Sequence, residues 1–305
     1  MTYPVSLAEN AGWDDRIAVV HGGDLVDAFI VTTRRYVILV DTLISPETGT
    51  ELLAFARPRL TTGRTLLAVN THADWDHCWG NQLFAGSTPV YPAPILGTRR
   101  SAERLRSSAE GDTLARMRGK QPGVFDRVEL TAPTIAFDGE ATIDGGDLTL
   151  RLFPTPGHQP DHLSVYIPEI RTLLAGDAAE FPFPFAESPE ALPALRESLR
   201  RMVALGPAAA LYCHAPITAG PKLLVANLAY FDRLESACRA AIARGVATNP
   251  LPDADVVALV GLRLEDAVPP VDARPYPPFY LNGHADQLRI MLAWLGNEGR
   301  NCPGD

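Results

Sequence analysis

The chain has 305 residues, 46% of them hydrophobic, and a mean hydropathy of zero, so it can bury a core large enough for one large domain or two smaller ones. Its net charge of −9 and pI near 5.3 argue against a general nucleic-acid binder. No apolar run approaches the roughly 18 residues needed to span a membrane, and the start of the chain, with Glu9, Asp14, Asp15 and Arg16, lacks a continuous apolar secretory segment, so a cytoplasmic location is expected.

Ile17 to Val20, Val26 to Thr32 and Tyr36 to Val40 are rich in β-branched and apolar residues, are punctuated by Gly22-Gly23 and Arg34-Arg35, and read as a meander of strands. Asp41-Thr42 ends the third strand. Ser45-Pro46-Glu47 supplies an N-cap and a proline at the first helical position, opening a helix to about Arg57. A strand-like run from Thr65 to Asn70 then leads into Thr71-His72-Ala73-Asp74-Trp75-Asp76-His77-Cys78-Trp79-Gly80-Asn81, which holds four metal-binding side chains within six residues.

In extended backbone His72, Asp74 and Asp76 point one way and His77 the other, so one ion cannot easily collect all four. If the chain turns helical after Asp76, His72 and Asp74 can hold one ion while Asp76 and His77 reach a second about 3.5 to 4 Å away, the usual separation in two-metal hydrolases. Cys78 to Phe84 then forms the first turns of a helix, with Trp75 in the core and Trp79 either packed or walling a substrate pocket.

Residues 93–120 read as a helical insertion whose charge run, from Arg99, Arg100, Arg104 and Arg106 to Arg116, Arg118 and Lys120, is either a solvated face or a lid that attracts anionic substrates. Strands resume at Thr134 to Phe137 and Leu148 to Phe153, flanking the tight turn Asp144-Gly145-Gly146-Asp147. His158 follows the turn Pro154-Thr155-Pro156-Gly157, and His162 to Ile167 forms another strand. Asp177 follows the apolar run Thr172 to Ala175, and His214 follows Ala209 to Cys213. Phe181-Pro182-Phe183-Pro184-Phe185 either lines a pocket mouth or packs as an ordered loop. Helical periodicity covers Pro189 to Ala204 and Pro221 to Arg244, the latter stopped by Gly245, and the tail from Ala219 reads as mostly helical. Near its end, Tyr280 and His284 either reach back over the metals or belong to the helix surface. Cys78, Cys213, Cys238 and Cys302 lie far apart without a C-x-x-C pair, which fits reduced, unbridged thiols. Cys78 and Cys213 neighbour candidate ligands and are either buried small residues or part of a metal shell.

Loops leaving the same ends of neighbouring strands meet in space, which would gather His158, Asp177 and His214 with the His72 loop. His72-x-Asp74-x-Asp76-His77 resembles the H-x-[HED]-x-D-H signature of the metallo-β-lactamase fold superfamily. Thr155-Pro156-Gly157-His158 and Leu174-Ala175-Gly176-Asp177 resemble its third and fourth motifs, and the ligand order is the same over roughly residues 16–220. The resemblance implies an α/β fold, the αββα four-layer sandwich, in a catalytic domain spanning 1–218 with the insertion at 93–120, followed by a helical extension over 219–305. It also implies a binuclear hydrolase. His72, Asp74 and His158 would hold the first ion and Asp76, His77 and His214 the second, with Asp177 bridging through both oxygens.

A hydroxide shared by the two cations would attack a small-molecule ester, thioester, lactone or amide, with Asp76 and Asp177 as the catalytic carboxylates and Trp79, Tyr280 and His284 as candidate substrate contacts. A phosphodiesterase or nuclease, and a di-iron redox protein, are the alternatives. Three positions bear on the pattern. Asp41 matches the aspartate of the family's V-D-T motif and either orients a metal-binding histidine or serves as a turn residue. Asp74 stands where most family hydrolases have His; zinc remains the expected metal, with manganese or iron favoured by the extra carboxylate. Asp161 replaces the glycine of the commoner G-H-T-P-G-H, beside His162, which reads as structural.

Overall fold

Strands buried on both faces are nearly continuous apolar runs rather than alternating ones, and two such runs form the centre of the fold. The computed structural model describes residues 3–268 and 276–301, and divides the chain into two compact units. The first comprises Met1–Pro154, Asp161–Asp177 and Pro207–Gly220. Its larger sheet contains β1 (Val5–Leu7), β2 (Ile17–Gly22), β3 (Val26–Thr32), β4 (Tyr36–Val40), β5 (Thr65–Val69), β6 (Ile95–Thr98) and β7 (Ile135–Phe137), hydrogen-bonded in that order. The pairs from β1 to β4 are antiparallel and those from β4 to β7 parallel. Every residue of β3 except Thr32 is buried, as is all of β4 after Tyr36.

Parallel neighbours need a crossover, and α1 (Pro46–Ala56) supplies the one between β4 and β5. Ser45 caps it, with Thr48 in the place where a glutamate or glutamine usually completes the capping box: each side-chain oxygen accepts the other residue's backbone N–H, at 3.4 and 3.2 Å. Two short helices, α2 (Trp75–Cys78) and α3 (Gln82–Ala85), follow β5, and α4 (Arg99–Leu105) and α5 (Ser108–Lys120) follow β6.

The second sheet of this unit has β8 (Ala141–Asp144), β9 (Thr149–Pro154), β10 (Leu163–Ile167), β11 (Thr172–Leu174) and β12 (Ala209–Leu211) in the order β12-β11-β10-β9-β8. Of its pairs only β11 with β12 is parallel. Side chains from both sheets, Phe29, Ile38 and Val69 from one and Leu152, Val165 and Leu174 from the other, belong to one hydrophobic cluster.

The second unit, Thr155–Pro160, Ala178–Gly206 and Pro221–Asp305, is helical: α6 (Leu192–Ala204), α7 (Lys222–Ala243), α8 (Val256–Val260), α9 (Leu264–Ala267) and α10 (Pro278–Asn301). Tyr230, Phe231 and Leu234 of α7 and Leu288, Met291 and Leu292 of α10 are buried. Arg196 of α6 binds Asp232 and Glu235 of α7 at 2.8 and 2.6 Å. Gly245, at φ +93°, ends α7 in the left-handed region where glycine carries no steric cost.

Three sequence expectations need correction. Cys78 to Phe84 is not one helix, since α2 ends at Cys78 and α3 begins at Gln82. Ile95–Thr98 is strand β6, so the insertion read over 93–120 is helical only from Arg99. The helix expected after Asp76 starts earlier, at Trp75, with Asp74 as its N-cap residue, so Asp76 and His77 share its first turn. β1 and β8, three and four residues long, fall below what apolar alternation can show. Part of the tail read as mostly helical, and Cys302, lie outside the described residues.

Gly80 fixes how α2 meets the end of β4. Thr42 N donates to His77 O at 2.7 Å and Gly80 N to Leu43 O at 3.2 Å, and a Cβ on Gly80 would stand 2.1 Å from Thr42 O. That neighbour is backbone and cannot swing aside. Gly80→Ala is expected to cost about 1 to 3 kcal/mol of stability, as overpacking of a filled site does, measured as a lower denaturant midpoint; an unchanged midpoint would show that the two segments separate freely.

Candidate metal centre

The first unit brings its candidate ligands together through two pairs of parallel strands. β4 and β5 run side by side with Val40 opposite Val69, so Asp41 and the Asn70–Asp74 loop leave the sheet as neighbours. β11 and β12 are paired with Leu174 opposite Leu211, so Asp177 and His214 leave the second sheet as neighbours. Carboxyl ends of parallel strands are where α/β folds place their sites.

The geometry centres on one atom. Asp177 Oδ2 lies 3.7 Å from His72 Nε2, 3.1 Å from His77 Nε2 and 3.3 Å from His214 Nε2. Asp76 Oδ2 lies 3.6 Å from His77 Nε2 and 3.3 Å from His214 Nε2, and Asp74 Oδ2 is 3.5 Å from His72 Nε2. His72, His77 and Asp177 form one group able to share an ion, and Asp76, His77 and His214 another, with the ligand atoms of each within 4.8 Å of one another. His72, His77, Asp76 and Asp177 are buried, and the His214 side chain is 16% exposed.

Asp41 sets the protonation of two of these histidines. Its Oδ1 accepts from Thr71 N at 2.7 Å, and its Oδ2 accepts from the Thr71 hydroxyl at 2.7 Å and from His77 Nδ1 at 2.9 Å. Because Thr71 gives its only hydroxyl proton to Asp41, its oxygen can only accept from His72 Nδ1, 3.0 Å away. Both imidazoles therefore keep a proton on Nδ1 and leave Nε2 as the inward-facing atom, the one that could bind a cation in place of a proton.

The electrostatics suit the same ligand. Burial works against charge on His77 and His214, yet Asp177 and Asp76 outweigh it and raise both imidazoles well above their ordinary value. Asp177 is itself buried, but His77 and His214 hold its carboxyl well below the usual range. Carboxylates that raise proton affinity so strongly also favour a divalent cation in place of those protons, and three imidazoles with two carboxylates are a donor set for such an ion. Cys78 and Cys213 stay thiols, since burial pushes both well up; Cys213 Sγ donates weakly to Asp41 Oδ2 at 3.8 Å and Cys78 Sγ to Asp74 O at 3.3 Å.

The remaining sequence candidates sit as follows. Trp79 is 1% exposed and packs edge-on against Phe125, 5.3 Å between centroids, so it is a core side chain. In the second unit His284 is buried, one ring nitrogen 3.0 Å from the Tyr230 hydroxyl and the other 2.9 Å from Leu262 O. The Tyr280 hydroxyl donates to Glu180 at 3.0 Å. His158 lies on Thr155–Pro160, a segment of the second unit that leaves β9 at Pro154 and returns at Asp161. His162 Nε2 accepts from Asp177 N at 3.0 Å, holding the loop that bears the central carboxylate.

Sequence reasoning missed Asn81. Fully buried, it exchanges hydrogen bonds with Asn70 at 2.8 and 3.0 Å, donates to Thr131 O at 2.8 Å and accepts from Thr42 at 3.0 Å. All its bonding capacity ties the ends of β4 and β5 to the segment after α2. The only signal was position, four residues beyond His77 at the end of the ligand stretch.

A metallo-beta-lactamase superfamily model matches residues 21–214, and the chain belongs to that superfamily, whose members are typically metal-dependent hydrolases. Solved structures agree on the fold. A metallo-beta-lactamase family protein of Thermus thermophilus is 17% identical, with 97% of this chain and 94% of that one covered at a TM-score of 0.60. A beta-lactamase domain protein of Burkholderia ambifaria is 16% identical, covering 96% and 88% at 0.65. The stereoselective inverting sec-alkylsulfatase Pisa1 of Pseudomonas is 15% identical, covering 99% of this chain and 52% of that one at 0.62. These likenesses establish the metallo-β-lactamase fold, mixed sheets with flanking helices and a helical C-terminal region. One curated relative, avaE of Aspergillus versicolor, named as a candidate transcription factor, is 30% identical over 112 residues, 36% of this chain and 31% of that protein, so the likeness spans less than a third of avaE. Among the described residues no helix is long and apolar enough to cross a membrane.

Asp41→Asn replaces a carboxylate whose two oxygens accept from Thr71 N, the Thr71 hydroxyl and His77 Nδ1 with an amide that has one accepting oxygen and one donating nitrogen. Metal affinity is expected to fall about 10- to 100-fold, the usual effect of removing a partner that orients ligand histidines. Competition with a chromophoric chelator measures it, and an unchanged affinity would remove Asp41 from the site.

Proposed function

We propose that the protein is a binuclear metallohydrolase that cleaves a small ester, thioester, lactone or amide. The observation that carries this reading is the position of Asp177 Oδ2, within 3.7 Å of the inward nitrogens of three histidines that come from a strand-end loop, a helix and a second sheet. A carboxylate at the meeting point of two ligand groups is where a bridging ligand belongs.

In this reading His72, Asp74 and His158 hold the first ion and Asp76, His77 and His214 the second. The support for His158 is its motif, Thr155-Pro156-Gly157-His158, which follows the end of β9 as the superfamily's third motif does. Zinc is the metal that imidazole-rich sites favour, while the Asp74 carboxylate opens the first position to manganese or iron.

When bound, a pair of divalent cations lowers the pKa of a shared water and polarises the substrate's oxygen. Asp177 and the Nδ1-protonated histidines hold their lone pairs in fixed directions, so little reorganisation accompanies the reaction. Asp76 Oδ2, 3.3 Å from His214 Nε2, would orient a water beside the ions and hold its proton.

Asp177→Asn is expected to lose at least about a hundredfold in metal affinity, beyond what loss of an orienting partner costs, together with hydrolysis. Normal metal content with full turnover would sink the scheme. The substrate class is tested with p-nitrophenyl acetate, a lactone, a thioester, bis-p-nitrophenyl phosphate and, because Pisa1 is an alkylsulfatase, a secondary alkyl sulfate. Chelator-sensitive, metal-restored turnover of the carbonyl substrates supports the proposal, while turnover of the phosphodiester or sulfate alone replaces it.

A further inference from the structure

One arginine of the insertion turns inward. Arg99 pairs with the exposed Asp138, and Arg106 and Arg118 bind backbone carbonyls of their own neighbourhood. Arg104 of α4 instead reaches the ligand loop: its Nη2 lies 2.5 Å from Asp74 Oδ1, its Nη1 3.6 Å from Asp161 Oδ1 and its Nε 3.5 Å from Glu110 Oε2. Asp161 and Glu110 are buried, and the Arg104 side chain is only 31% exposed. The two aspartates are the positions where the chain departs from the commoner family pattern, and they touch the same loop, since Asp161 Oδ2 also accepts from Ala73 N at 2.8 Å. α4 is set in place by Thr98, whose hydroxyl accepts from Ser101 N at 3.1 Å and donates to Asp161 O at 3.0 Å.

We propose that Arg104 is the positioning residue of Asp74. By binding Oδ1 it directs Oδ2, the oxygen 3.5 Å from His72 Nε2, toward the first ion. A carboxylate in the place of an imidazole can swing, chelate through both oxygens or be drawn off by another cation. The guanidinium removes these options, because one oxygen is committed to a planar donor that is always charged. It also offsets the negative charge that Asp74 adds, so the first position carries a charge closer to that of a histidine site. Three carboxylates around one guanidinium make this arrangement depend on Arg104: without it, Asp74, Asp161 and Glu110 repel one another in a poorly solvated place.

The inference rests on the binuclear reading and is tested by metal binding rather than turnover. Protein stripped with chelator is titrated with Co²⁺, followed by calorimetry and by the visible d–d bands, for wild type, Arg104→Gln and Arg104→Lys, with thermal melting of each metal-free protein as a folding control. In wild type two binding steps are expected. Arg104→Gln should weaken one of them about tenfold or more, the scale at which partners of metal ligands act, and shift its d–d bands, leaving the other step within twofold. Arg104→Lys, which keeps the charge but not the fork, should recover part of the affinity and not the spectrum. If Arg104→Gln does not fold, the spectral shift in Arg104→Lys decides. Equal weakening of both steps, or unchanged affinity and bands, would overturn the assignment. A wild type that binds one ion refutes the binuclear reading alone, with the same comparison deciding Arg104 on that ion, and a wild type that binds none refutes both.

Discussion

Two histidines from different segments share one acceptor, Asp41, and the centre depends on that sharing. His77 reaches it directly, from the first turn of α2, while His72 reaches it through the Thr71 hydroxyl. A fully buried carboxylate with these donors fixes ring orientation and tautomer together, which no arrangement of the metal-facing atoms could do alone. The backbone is held at a cost to permit it. Asp41 has φ +67° and Leu43 φ +65°, a region that non-glycine residues seldom occupy and that costs on the order of 1 kcal/mol or more each. Aspartate tolerates it better than most, and the bonds from Asp41 N to Val69 O and from Thr42 N to His77 O hold the bend against both neighbouring segments.

Much of this was legible in the chain. β3 and β4 stand out because burial on both faces leaves little room for polar residues, and the end of β4 at Val40 could be read from where its apolar run stops, whereas the runs read to Asn70, Ala175 and Cys213 pass the strand ends Val69, Leu174 and Leu211 by one or two residues. The candidate ligands stood out because metal chemistry restricts residue type and spacing at once. Asn81, Thr71 and Arg104 were not, for a physical reason: an amide, a hydroxyl or a guanidinium has many ordinary uses, and only contacts with residues distant in sequence, Thr131 or Asp161, give these their roles. β6 was hidden because its four residues include Gly97 and run straight into the charges of α4. The helical start at Trp75 was misplaced because the alternation that aligns His72 with Asp74 in extended backbone does not show where the extended stretch ends, and only the Asp74 N-cap geometry does.

The fold and the donor set define a class of chemistry and leave the substrate open, since this architecture supports many reactions through its loops. What individualises the chain lies where it departs from the common pattern. Asp74 and Asp161 look independent in the sequence, a histidine replaced in one motif and a glycine in another. In the structure both face Arg104, and Asp161 also holds the backbone of Ala73 beside Asp74. A carboxylate at Asp74 without the guanidinium would add charge to a buried centre already rich in it. The guanidinium without Asp74 would keep Asp161 and Glu110 but lose its shortest ion pair and its tie to the ligand loop. Asp161 without Arg104 would leave Asp74 a repelling neighbour. The three residues therefore form one solution to a single electrostatic problem, and any reading of the metal preference has to treat them as a unit.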